Sequence, residues 1–230
     1  GNLRPVEWAR TGLYAGEIGY TKAALEAFSK YVTLDSASVL PYLEMGRISL
    51  ANNDSLALDN LLPGLKIDPN NAELKSEIAR AYLQIGDLKQ AKKYFDQVGE
   101  RDSENGLLLQ AEFALAQGDT STAIDQFEAL RKRNPLLTKP VVYLSRIYRE
   151  RRDDFTAHEM LMNARALNNR RPELHYELAR VELLLGRVSE AAAAARNAIE
   201  QERDPERAAE IEGEFKRIFE LEASGDEDLI

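Results

Sequence analysis

Apolar residues recur along this chain at helical spacing and break off at regular intervals. The stretch from Ala72 to Ser103 shows the pattern. Leu74, Ile78, Tyr82 and Ile85 follow one another at steps of 4, 4 and 3 residues, which is one face of an α-helix. Gly86-Asp87 then interrupts the rhythm: a glycine can take the left-handed end of one helix, and an aspartate can cap the next. Leu88, Ala91, Phe95 and Val98 resume at steps of 3, 4 and 3, predicting a second amphipathic helix. The unit is a helical hairpin whose apolar faces need neighbours to cover them.

Six such hairpins run through the sequence. A small residue sits in the middle of each first helix, at Gly12, Gly46, Ala79, Ala111, Ser145 and Ala179, with spacings of 34, 33, 32, 34 and 34. Five copies open the second helix with another small residue (Ala24, Ala91, Ala123, Ala157, Ala191). One turn later a larger apolar residue follows at Phe28, Phe95, Phe127 and Leu161, and only alanine at Ala195. Gly19, Gly86, Gly118 and Gly186 occupy the turns, and the fifth copy has Arg152-Asp153-Asp154 instead. Pro5, Pro41, Pro140, Pro172 and Pro205 fall in or near first turns, where the missing N–H costs nothing. Pro63 alone falls inside a second helix, which is expected to kink or to end near Leu62. After the last hairpin, Ala208, Ile211, Phe215, Ile218 and Phe219 predict a further helix from Pro205 to Glu222, followed by an acidic tail, 224–230. A helical period near 34 residues predicts an all-α solenoid, and the final helix reads as its cap.

Composition narrows the function. The 230 residues carry 30 Lys+Arg against 39 Asp+Glu, a net charge of −9, which argues against generic binding to nucleic acid or anionic membranes. The absence of cysteine removes disulfides, thiol nucleophiles and thiolate metal sites. The histidines, His158 and His175, lie in different copies, and no spacing of His, Asp and Glu points to a metal. No nucleophile elbow or phosphate-cradling loop is present. Neither catalysis nor a cofactor is expected. No apolar run approaches the ~18 residues that span a bilayer. Gly1 reads as a cloning remnant, so a targeting or anchoring segment could precede Asn2. A soluble bacterial protein is expected, periplasmic or envelope-associated, or otherwise cytoplasmic.

The hairpins resemble the tetratricopeptide repeat. Trp8, Gly12, Ala24 and Phe28 match its pattern in the first copy. Ile78, Ala79, Tyr82, Ala91, Phe95 and Val98 match in the third, Leu144, Ser145, Tyr148, Ala157 and Ala164 in the fifth, and Leu178, Ala179, Ala191 and Ala198 in the sixth. The resemblance covers about 5–203. It implies a right-handed superhelix of six repeats (about 5–38, 39–71, 72–103, 104–137, 138–171 and 172–204), a capping helix over 205–223, and a concave groove walled by the first helices. The ninth place of each repeat lines that wall in the family. Here those places are Leu13, Arg47, Arg80, Glu112, Arg146 and Arg180, with Arg149 one turn beyond Arg146. An acidic protein would then carry a basic stripe suited to carboxylates or backbone carbonyls of an extended peptide. Tyr42, Tyr143 and Tyr176 lie near the same wall. Charge reversal at Arg80 with Arg146 is expected to weaken partner binding and spare helix content.

A competing reading is structural. Glu44, Glu77 and Glu177 each precede an arginine by three residues, the spacing of intrahelical ion pairs, and the arginines could simply staple repeats. The asparagines of the chaperone-binding carboxylate clamp are missing at the ninth places, so capture of a chaperone tail is not implied. The expected function is a non-enzymatic scaffold that holds a protein segment or extended peptide and supports assembly of a larger complex. Its alternatives are an RNA-binding two-helix-repeat protein and the interaction arm of a longer enzyme. The acidic charge, and second and fifth places that vary from Val6 and Ala9 to Glu173 and Tyr176, speak against RNA.

Overall fold

The computed structural model describes residues 3–52, 55–99 and 102–224; the acidic tail expected at 224–230 lies outside them apart from Ser224. Among these residues the fold is all-α, with thirteen helices and no strand. They are α1 (Pro5–Glu17), α2 (Thr21–Leu34), α3 (Leu40–Ala51), α4 (Ala57–Ile67), α5 (Ala72–Gln84), α6 (Leu88–Phe95), α7 (Glu104–Ala116), α8 (Thr120–Arg133), α9 (Thr138–Glu150), α10 (Asp154–Leu167), α11 (Pro172–Leu184), α12 (Val188–Gln201) and α13 (Pro205–Ser224). The chain forms two compact units, 1–123 and 124–230, whose boundary falls within α8.

In the first unit α1 packs on α2, α3 on α4 and α5 on α6, and α7 lies against α5. The second unit pairs α9 with α10 and α11 with α12, and lays α13 on α12. Small residues make these approaches possible. Ala24, Ala91, Ala123, Ala157 and Ala191 are wholly buried, as are Ala79, Ala111 and Ala179. At Gly46 a Cβ would overlap Leu61, and at Gly12 it would come within 2.8 Å of the Phe28 ring. Glycine is therefore required at both places.

The turns follow the sequence closely. Gly19, Gly86, Gly118 and Gly186 all adopt positive φ, and Asp87 caps α6 by accepting from the Gln90 N–H at 3.0 Å. In the fifth hairpin Arg152 itself takes the left-handed conformation at φ 62°, and Asp153 caps α10 through the Thr156 N–H.

Three expectations need correction. The helix containing Pro63 does not stop at Leu62 but runs on to Ile67; Leu61 and Gly64 on either side of the proline are buried, so packing outweighs the lost hydrogen bond. Helix α6 ends at Phe95 rather than reaching Val98, which is nevertheless buried. Ile85 follows the last turn of α5 and is 59% exposed.

Candidate functional site

The arginines expected to line the groove fall into two sets, one in each unit, and the sets differ in how their nitrogens are used. In the first unit α3, α5 and α7 present a ladder of alternating charge. Arg47 donates from Nε to Glu77 (3.3 Å), from Nη1 to Glu44 (2.8 Å) and from Nη2 to Glu73 (2.9 Å). Arg80 donates from Nε to Glu112 (2.8 Å), from Nη1 to both oxygens of Glu77 (3.1 Å each) and from Nη2 to the Asn105 carbonyl (3.2 Å). Every guanidinium nitrogen in this ladder has an acceptor. The Arg80, Glu77 and Glu112 side chains are only 11%, 9% and 10% exposed.

Burial disfavours charge on Arg80, but the carboxylates of Glu112 and Glu77 outweigh it and hold the guanidinium's pKa above its ordinary value. The same balance acts on Arg47, where burial is outweighed by Glu77 and Glu44. Two cations here face four carboxylates (Glu44, Glu73, Glu77 and Glu112), so the ladder carries a net negative charge.

In the second unit α9 and α11 carry the remaining arginines, and α13 supplies Glu214. Arg146 donates to Glu177 from Nε alone, at 2.6 Å, and no described residue accepts from its two Nη groups. Arg149 reaches the other oxygen of Glu177 at 3.3 Å. Arg180 stands 3.7 Å from Glu214 through Nε and touches the Tyr176 hydroxyl through Nη1 at 3.4 Å. Arg146 is 46% exposed and Arg180 40%, whereas Glu177 is almost wholly buried. Three cations here share two carboxylates. Among the described residues, both Nη groups of Arg146 and Nη2 of Arg180 thus have no acceptor, on side chains that are partly exposed.

The intrahelical pairs expected from the spacing form at Glu44–Arg47 and Glu77–Arg80. Glu177 turns instead to the preceding hairpin, to Arg146 and Arg149. At the remaining ninth places, Leu13 is 44% exposed and Glu112 is the acceptor for Arg80. Tyr143 stacks on Phe127 with ring centres 4.8 Å apart. Tyr176 lies edge-on to Phe215, donates to Glu214 at 2.7 Å and carries the guanidinium groups of Arg180 and Arg207 within 5.6 Å and 5.5 Å of its ring. Burial, then the bond to Glu214, pushes its hydroxyl pKa up. Sequence spacing did not reveal Glu214 as a member of this cluster, because it comes from a helix beyond the last full hairpin. No group of described His, Cys, Asp and Glu residues could hold a metal ion.

Tetratricopeptide repeat models match residues 57–113, 106–136 and 144–208. The chain belongs to the tetratricopeptide repeat family. No curated protein sequence matches it. Among solved structures, a tetratricopeptide repeat protein from Parabacteroides merdae ATCC 43184 superposes with a TM-score of 0.71 at 15% identity, over 90% of this chain and 82% of that one. The APC/C hetero-tetramer Cut9-Hcn1 gives 0.64 at 17% identity, over 94% of this chain. The IFIT1 monomeric mutant with Gppp-AAAA gives 0.69 at 14% identity, over 90% of this chain. The chain spans 43% of the matched Cut9-Hcn1 chain and 52% of IFIT1. At such identities the likeness is one of fold. As a tetratricopeptide repeat protein the chain is a protein-interaction scaffold in general character, and no described helix is long and apolar enough to cross a membrane.

Proposed function

We propose that this repeat protein holds an acidic, extended protein segment, and that the arginines of the second unit are the groups that engage it. The observation that carries this reading is the pair of partly exposed guanidinium groups on Arg146 and Arg180, each with a single carboxylate neighbour and an Nη group that has no acceptor. A carboxylate or backbone carbonyl meeting such a group gains a charge-assisted hydrogen bond without breaking one already made. On Arg47 and Arg80 every guanidinium nitrogen already has an acceptor, so an incoming anion there competes with bonds already made. The peptide-binding role expected of all the ninth-place arginines therefore narrows to Arg146 and Arg180, with Tyr176 as an adjacent amphipathic surface. Assembly of a larger complex, of which the Cut9-Hcn1 hetero-tetramer is an instance, is the use that suits such a scaffold.

RNA is the competing ligand, since the IFIT1 structure bears Gppp-AAAA. The net charge of −9 and the carboxylates flanking every arginine above disfavour a phosphate backbone. A display library of extended peptides, selected on wild type and counter-screened on Arg146→Glu/Arg180→Glu, tests the reading. Enrichment of acidic segments that bind the variant at least ~10-fold more weakly is expected. Binders indifferent to the double substitution, or displaced by single-stranded RNA, would overturn it.

A further inference from the structure

The connections that lead from one hairpin into the next are built alike in the two units but charged differently. In the first unit Asp35 and Asp68 close them, each accepting the backbone N–H two residues on, from Ala37 and Asn70, at 3.1 Å. In the second unit Asn134 and Asn168 make the same bond, to Leu136 at 3.2 Å and to Arg170 at 3.3 Å. The turn needs only a side-chain oxygen at that place, so the fold does not ask for the missing charge. Helices α9 and α11 pack side by side, and each doubles back through its partner, α10 or α12. The α8–α9 and α10–α11 connections therefore emerge at the same end of the second unit. The stretches 128–139 and 165–173 that contain them hold seven cations and two carboxylates, Glu128 and Glu173. Arg131, Lys132, Arg133 and Arg165 stand in the last turns of α8 and α10, where the helix dipole favours them. The other three stand against it: Lys139 in the first turn of α9, and Arg170 and Arg171 at the start of α11. Among the described residues no carboxylate pairs with Lys132, Lys139, Arg165, Arg170 or Arg171. Leu136 and Leu167 lie between these cations, each 59% exposed. In the first unit the exposed Leu34 and Ile67 sit beside Asp35 and Asp68 instead.

We infer that this end of the second unit rests on an anionic lipid surface, its cations among the headgroups and its two leucines just below them. Clusters of about four to eight lysines and arginines bind acidic headgroups, and apolar side chains between the cations add insertion at the boundary with the acyl chains. The net charge of −9 does not oppose this, because charges farther from the surface than the ~8 Å Debye length are screened. A single-stranded RNA site would interleave aromatic rings with the cations to stack bases, and neither stretch contains an aromatic residue. The surface is separate from the Arg146 and Arg180 site, which lies farther along α9 and α11.

Co-sedimentation of the intact chain with lipid vesicles decides the matter. In about 0.1 M salt the chain should pellet with mixed phosphatidylcholine and phosphatidylglycerol vesicles and stay in solution with phosphatidylcholine alone. Arg170→Gln/Arg171→Gln should weaken binding at least ~10-fold. Leu136→Ser/Leu167→Ser should weaken it too, while leaving its salt dependence in place. Asn134→Asp/Asn168→Asp separates surface charge from folding: both turn bonds are kept, so the melting temperature should hold while vesicle binding falls at least ~10-fold. A chain that ignores the anionic vesicles overturns the inference, as does binding that survives the exchange of both asparagines. Preference for single-stranded RNA over the vesicles, lost in the same variants, would assign the surface to nucleic acid and overturn it as well.

Discussion

The two arginine sets occupy matching places in successive repeats, yet they do different work. In the first unit every guanidinium nitrogen of Arg47 and Arg80 donates to a carboxylate or, once, a carbonyl, within a ladder that ties α3 to α5 and α5 to α7. In the second unit Arg146 and Arg149 converge on the single carboxylate of Glu177, and Arg180 leans on Glu214 at a distance beyond a good hydrogen bond. A residue's place in the repeat fixes where its side chain emerges. Whether that side chain is structural or available depends on how many acceptors the neighbouring repeats supply.

The comparison breaks most visibly at Arg80. Replacing it with methionine leaves Glu77 with Arg47 alone and strips Glu112 of a buried partner, and such losses cost about 3–5 kcal/mol. Urea denaturation should register the drop as a lower midpoint. Charge reversal at Arg80 with Arg146, expected from sequence to spare the fold, should therefore melt early, and Arg80 is the part responsible. Glu177→Gln comes next in size. It removes the buried anion on which Arg146 and Arg149 converge and should lower stability by about 1–3 kcal/mol. The same change frees both guanidinium groups, so an acidic peptide should bind more tightly, not less, in a fluorescence-anisotropy titration. Arg180→Met follows. Its partly exposed contact with Glu214 contributes about 0–1 kcal/mol, so the melting temperature should hardly move while the acidic peptide binds more weakly.

The smallest effect is expected at the exposed Arg196–Glu222 pair between α12 and α13. The hydrogen bond from Arg196 holds Glu222 below its ordinary value of 4.5, against a weak opposing effect of burial. A depressed carboxylate contributes stability above its unfolded pKa and loses it as pH falls through the folded one. The stability difference between wild type and Arg196→Gln should thus be constant near neutrality and shrink only below pH 4.5.

Much of the fold was legible because the repeat imposes local signals with unambiguous causes. Glycine at a left-handed turn, aspartate at an N-cap and paired small residues at helix crossings each have one structural meaning, and the 34-residue period multiplies them. Where a signal competed with tertiary packing, the sequence misled. Pro63 reads as a kink or an end near Leu62, yet with Leu61 and Gly64 buried α4 runs past it to Ile67. The candidate arginines were legible as a row, but the difference between Arg80 and Arg146 was not. It depends on carboxylates about thirty residues away, Glu112 for one and Glu177 for the other. It also depends on burial, which no spacing rule reports.

Arginine side-chain ¹⁵N NMR tests the division of labour between the two sets most directly, because rotation of a guanidinium about its Nε–Cζ bond slows when its Nη groups are held. Slow, resolved Nη signals are expected for Arg47 and Arg80, and fast-averaged ones for Arg146 and Arg180. Equal behaviour across the four, or restraint confined to Arg146 and Arg180, would contradict it.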